Sequence, residues 1–107
     1  MTLTRSNAHL RDMLHALGNE RRLTILEWLK APAKHFRRQT EGDLESDGVC
    51  GVLIAEKLGI SQPTVSEHMR VLVAAGLVDA TRIRQWTFYR RNARAIAAFK
   101  RAVRDSL

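Results

Sequence analysis

Apolar positions at the start of the chain recur at helical spacing. Leu10, Met13, Leu14 and Leu17 fall at i, i+3, i+4 and i+7, which marks one face of a helix. Gly18-Asn19 interrupts the pattern, and Asn19 has the short amide of an N-cap for a second helix. That helix carries Leu23, Ile25, Leu26 and Leu29 on or near its buried face, with Trp28 alongside. It is predicted to end near Lys30, because Pro32 disfavours helical geometry at Ala31. Residues 31–49 have no periodicity and read as an extended loop or insertion. Such a stretch is uncommon inside a compact domain.

Val49-Cys50-Gly51 suits a very short strand, and a third helix is predicted over residues 52–58, closed by Gly59. Ser61 is a good N-cap for a fourth helix and Pro63 is tolerated in its first turn. Val65, Met69, Leu72 and Val73 form its apolar stripe, and Gly76 ends it. The period then falls to two. Residues 77–82 and 85–90 read as strands around Ile83-Arg84, with Trp86 and Phe88 on one side and Thr87 and Tyr89 on the other. From Asn92 the helical period returns. Ile96, Phe99, Val103 and Leu107 share one face, and Arg94, Lys100, Arg101 and Arg104 occupy much of the rest. The expectation is a single α+β domain, mostly helical, over residues 1–107, without internal repeats.

Composition narrows the function. Hydrophobic residues make up 45% and charged residues 27%, an ordinary balance for a folded protein. Eighteen Lys and Arg against eleven Asp and Glu give a net charge of +7, which favours an anionic partner. Glu41, Asp43, Glu45 and Asp47 crowd into one stretch without a cation, so the rest of the chain is more basic still. The lone cysteine excludes an intramolecular disulfide, and no apolar run approaches the ~20 residues of a membrane helix. The first residues also lack a signal-like apolar stretch, so a cytoplasmic location is expected. No glycine-rich phosphate loop, metal triad or nucleophile–base spacing stands out, so neither catalysis nor a cofactor is expected.

The helices at residues 52–58 and 62–75 are joined by Gly59-Ile60-Ser61, the short glycine-containing connection of a helix-turn-helix. In such a motif the first helix buttresses and the second presents its N-terminal face to the major groove. With Val65 inward, Pro63, Thr64, Ser66, Glu67, Arg70 and Val71 turn outward, and Ser61 and Gln62 stand at the helix start. Arg70 is suited to a guanine edge or a phosphate, and Glu67 to a cytosine amino group. The amides around Ser61–Thr64 suit a phosphate. Arg82, Arg84 and Gln85 cluster at the predicted hairpin tip, where long polar side chains reach a neighbouring groove or its phosphates.

The run Ser61-Gln62-Pro63-Thr64-Val65-Ser66-Glu67-His68, within residues 54–78, resembles the ArsR/SmtB family of winged-helix repressors. Residues 16–26 and the segment Gln85-Trp86-Thr87-Phe88-Tyr89-Arg90 resemble it too, and the likeness covers residues 10–30 and 49–91. The resemblance implies a winged helix-turn-helix with a two-stranded wing. It also implies a homodimeric repressor of transcription, bound to duplex DNA and released by a ligand. The first and last helices would make the dimer interface, consistent with the apolar positions Leu10, Met13, Leu14 and Leu17 and Ile96, Phe99, Val103 and Leu107. Residues 92–107 would then be a dimerisation helix, and the operator an imperfect inverted repeat.

The chain departs from the family in four places, one of them the stretch 31–49, which is longer than the family's usual connection. Where members sense metals through Cys-x-Cys, Cys50 matches the first cysteine but Val52 takes the second position. Where others use a carboxylate and histidines on the last helix, residues 92–107 hold no histidine and Asp105 as their one acid. No metal site is therefore expected. Arg84 stands where the wing tip often carries glycine, so a standard two-residue turn is not expected.

Smaller signals read as structural. His9, Asp12 and His15 span nearly two turns beside the expected seam, His68 at the edge of the buried face suits a structural hydrogen bond ahead of a base contact, and Cys50 suits an inert thiol ahead of a redox sensor. Trp28 and Trp86 suit packing. Three alternatives remain open: a regulator that senses no ligand, a winged-helix module whose basic face binds an acidic protein, and a metal site built from His35, Cys50 and the loop acids.

Overall fold

A computed structural model describes residues 5–107. The order is α1 (Arg5–Leu17), α2 (Glu20–Lys30), α3 (Pro32–His35), β1 (Val49–Cys50), α4 (Gly51–Leu58), α5 (Gln62–Ala74), β2 (Val78–Ile83), β3 (Trp86–Arg91) and α6 (Ala93–Ser106). This is a winged helix-turn-helix fold. Local chemistry sets most boundaries. Asn19 Oδ1 accepts the Arg22 N–H and opens α2, and Asn92 Oδ1 accepts the Ala95 N–H and opens α6. Pro32 stops α2 at Lys30 and restarts the chain as the first residue of α3. The third expected helix begins one residue early, at Gly51.

Residues 31–49 are more structured than their aperiodic sequence predicts. The half-buried Trp28 packs edge-on against Phe36 just beyond α3, at 5.9 Å between ring centroids. Gln39 is buried, and its amide spans the base of the loop: Nε2 donates to the Gly48 carbonyl at 2.7 Å and Oε1 accepts from the Cys50 N–H at 3.1 Å. Asp43 Oδ2 accepts from the N–H of Ser46, the Ser46 hydroxyl and the N–H of Glu45. Those bonds, the Ser46 amide first, hold the Asp43 carboxyl below its ordinary range. Gly42 lies flat against Phe88, where a Cβ would come within 2.9 Å of Cε1.

The sheet has three antiparallel strands in the order β1-β3-β2. β1 contributes Val49 opposite Tyr89 and Cys50 opposite Phe88. The central strand β3 is therefore covered on both sides at its inner end. Phe88 and Tyr89 are both buried, although they point to opposite faces. The wing is displaced by one residue from its expected register. Val78 pairs with Arg91 and Ile83 with Trp86, and Arg84-Gln85 makes a two-residue connection. The absence of glycine does not prevent that turn, because Arg84 itself takes the left-handed conformation at φ 57°.

Ile25, Ile54, Val65, Met69, Leu72, Leu77 and Phe88 are fully buried and join α2, α4, α5 and the sheet in one core. Two expected core residues lie outside it: Leu23 is 52% exposed and Val73 36%. Each sits at the rim of its helix's apolar stripe, which is narrower than the sequence pattern suggests. The two terminal helices pack on each other. Met13 and Ile96 are buried within the chain itself, while Leu10, Leu17, Phe99 and Val103 are half-buried. Leu14 and Leu107 are exposed, Leu107 lying just beyond the end of α6. Leu10, Met13, Ala95, Ala98, Phe99 and Ala102 line an apolar groove of ≈ 260 Å³ between the two helices. No helix among the described residues is long and apolar enough to cross a membrane.

Candidate nucleic-acid interface

The connection between α4 and α5 is closed by backbone geometry. Gly59 takes φ 69° and ψ 33°, and the Gly59 and Ile60 N–H groups both return to the Ala55 carbonyl. Ser61 then caps α5. Its Oγ accepts the Thr64 N–H at 3.3 Å and lies 2.8 Å from Thr64 Oγ1. Val65, Met69 and Leu72 face the core, which turns Gln62, Pro63, Ser66, Glu67 and Arg70 to solvent and leaves Thr64 half-buried; Val71, expected outward, is half-buried against the core instead. The amide cluster expected around Ser61–Thr64 is smaller than the sequence suggests. Pro63 has no N–H, and that of Thr64 is taken by the cap.

Arg70 is not a free fork. Its Nη2 donates to Glu67 Oε1 at 2.6 Å and its Nε to Glu67 Oε2 at 3.0 Å. This pairing lowers the pKa of Glu67 and raises that of Arg70, in both cases chiefly through the hydrogen bonds. The sequence treats the two as separate DNA-facing groups, whereas the structure presents them as one unit.

The wing stands beside the first half of α5. Gln62 and Ser66 from α5 and Arg82, Gln85, Trp86 and Thr87 from the wing line a groove of ≈ 210 Å³. Cys50 and Tyr89 contribute to its floor. Arg82 is steadied at the tip by a bond from its Nε to the Arg84 carbonyl at 3.0 Å, and Arg82, Arg84 and Gln85 are all exposed. The structure thus gathers residues of the expected helix and wing sets around one solvent-open channel. Arg84 stands outside its lining, at the hairpin tip.

His68 lies on the flank of α5 that faces α2. Its Nδ1 is 3.2 Å from Arg22 Nη1. Burial, then the charges of Arg22 and Arg21, hold its pKa below the ordinary imidazole value. Arg22 is absent from the site residues that the sequence suggests, and no local signal points to it, because its partner lies 46 positions away. Cys50 is buried. Among the described residues no three His, Cys, Asp or Glu side chains converge on a point that could hold a metal ion. His9, Asp12 and His15 are each exposed on α1.

Residues 53–80, most of this helix-turn-helix, match the family described as bacterial regulatory protein, arsR family. The chain is also 42% identical over 85 residues to YbzH of Bacillus subtilis (strain 168), described as an uncharacterized HTH-type transcriptional regulator. That alignment covers 79% of this chain and 85% of the relative. This chain belongs to the ArsR family. It is a DNA-binding transcriptional regulator with a winged helix-turn-helix. Solved structures agree on the fold. An ArsR-like transcriptional regulator from Rhodococcus sp. RHA1 superposes with a TM-score of 0.70 at 20% identity, over 95% of this chain and 82% of that one. The homodimeric winged helix-turn-helix DNA-binding domain Mb0332 from Mycobacterium bovis does so at 0.63 with 27% identity, over 98% and 89%.

Proposed function

We propose that this ArsR-family regulator is a homodimeric repressor that reads an imperfect inverted repeat in duplex DNA. The observation that carries the reading is the channel shared by α5 and the wing. It sets Gln62 and Ser66 beside Arg82 and Gln85, so that base-reading and backbone-holding side chains address one duplex together. Ser61, Gln62, Pro63, Thr64, Ser66, Glu67 and Arg70 form the recognition surface in the major groove. Arg82, Arg84 and Gln85 hold the adjacent backbone. The apolar groove between α1 and α6 supports the homodimer, whose seam uses the exposed Leu14 and the half-buried Leu10, Leu17, Phe99 and Val103. Met13 and Ile96 support that seam from within the chain. Two recognition helices about one two-fold axis then enter successive major grooves roughly 34 Å apart. The regulator works without the family's metal-sensing ligand sets, so its release would depend on another effector or on dimer concentration.

Fluorescence anisotropy tests the reading. The full chain is titrated onto labelled duplex from upstream of its own coding sequence and onto a scrambled duplex, across a salt series. Selective binding is expected, with log K falling by about 0.9 per phosphate contact for each decade of salt. A folded dimer that binds neither duplex would overturn the reading in favour of a surface for an acidic protein.

A further inference from the structure

Arg22 stands where three helices meet. The Asn19 cap fixes its backbone in the first turn of α2. From there its Nε donates to the Ala16 carbonyl in the last turn of α1, and its Nη1 reaches His68 Nδ1 on α5. A guanidinium only donates, so the contact fixes the imidazole as well: Nδ1 accepts and the proton sits on Nε2. One side chain therefore joins the end of the first helix to the middle of the helix that carries Glu67 and Arg70.

We propose that Arg22 and His68 are positioning residues for DNA reading, setting the rotation of α5 about its axis and its distance from α1. The inference rests on the reading of α5 as the DNA-contacting helix. Among the described residues, the other side chains that seat α5 on the core are apolar: Val65, Met69 and Leu72. Close packing limits a roll of α5, but apolar contacts have no preferred bond angle that would set it finely. A hydrogen bond weakens steeply with angle, so the Arg22–His68 bond resists that roll directly. A roll of α5 swings Ser66, Glu67 and Arg70 across the groove together, because all three project from the same helix. The second anchor of Arg22 is on α1, one of the two helices expected at the dimer seam. The bond thus ties the reading surface to the frame that sets its spacing from the partner's.

Three variants of the full chain test this: Arg22→Lys, His68→Leu and His68→Asn. Asn places Oδ1 where Nδ1 stood and keeps the acceptor, whereas Leu fills the space without one. The probes are a duplex selected by the wild-type chain from a random library and a scrambled duplex of the same length. Arg22→Lys and His68→Leu are expected to weaken binding to the selected duplex about three- to thirtyfold, with the scrambled duplex little changed and the dimer mass unchanged. His68→Asn is expected to bind nearly as the wild type does. A purely structural role would lower the melting temperature without separating Asn from Leu in selectivity. If His68→Leu does not fold, the contrast between Arg22→Lys and His68→Asn decides. Selective binding by Arg22→Lys at wild-type strength, or loss in His68→Asn as in Arg22→Lys, would overturn the proposal. Imidazole ¹⁵N shifts judge the bond separately from DNA binding, with Nδ1 unprotonated in the wild type and perturbed in Arg22→Lys. A wild-type chain that shows this bond but selects no duplex would locate the failure in the DNA reading, and the positioning role would fall with it.

Discussion

Glu67 and Arg70 form a two-point ion pair on the exposed face of α5, with bonds of 2.6 and 3.0 Å. Both side chains are largely open to solvent, so the pair adds little to folding. Its consequence concerns DNA. Arg70 approaches a phosphate with its charge already compensated and its fork already occupied.

Glu67→Gln should therefore raise affinity for scrambled duplex while narrowing the preference for the selected one. The freed cation adds a phosphate contact, and the salt slope should steepen by about 0.9. Anisotropy titrations on both duplexes across a salt series read this out. Unchanged non-specific affinity would mean that the pair opens readily on DNA.

Arg70→Ala should cost selected DNA about five- to a hundredfold in affinity, provided Arg70 leaves Glu67 to meet a base edge. Equal losses on selected and scrambled duplexes would reduce Arg70 to a phosphate contact.

Arg84 couples function to backbone strain. It is the one non-glycine residue with positive φ among the described residues, and it occupies the wing tip. Arg84→Gly should stabilise the fold by about 1 kcal/mol in urea denaturation while weakening selected and scrambled DNA alike. Arg84→Ala should show the same DNA loss without the gain in stability. A melting temperature for Arg84→Gly at or below the wild type's would argue that the turn is unstrained.

Gln39 holds the insertion to the sheet by bonding the Gly48 carbonyl and the Cys50 N–H from a buried position. Gln39→Ala leaves both without that partner and should cost about 1–3 kcal/mol in denaturant unfolding. Hydrogen exchange at the Cys50 amide should quicken first. A slow Cys50 amide in the variant would count against the bridge.

His68 gives the fold an acid-sensitive point. The groups acting on its ring are Arg22 and Arg21 from α2, which oppose a second proton, and Glu67 from α5, which favours one. Burial first, and then the two arginines, hold the folded pKa below the ordinary 6.5. The unfolded chain then binds the proton more readily. The stability contributed by His68 is complete above pH 6.5 and is lost as pH falls through the folded value. Melting temperatures from pH 7.5 to 5 should fall less in His68→Asn than in the wild type. Parallel curves would show that the imidazole does not titrate differently on folding.

Much of this protein was legible in its sequence because the deciding physics is local. Asn19, Ser61 and Asn92 cap helices through amides three residues away, Gly59 turns the chain in the left-handed region, and Pro32 forbids continuation of α2. Periodicity placed Val65, Met69 and Leu72 inward, which by itself sent Gln62, Ser66, Glu67 and Arg70 outward. Where the outcome depended on partners distant along the chain, only the tertiary structure decided it. Tyr89 is buried although it points to the face opposite Phe88, because β1 sets the buried Val49 beside it. Residues 31–49 carry no periodic signal, and their order comes from Gln39, Asp43 and Gly42 meeting groups that folding brings to them. The link from Arg22 to His68 spans 46 residues and leaves no trace in spacing or composition. Caps and turns act within a few residues and are written in sequence, whereas bonds between helices exist only once burial has brought the helices together.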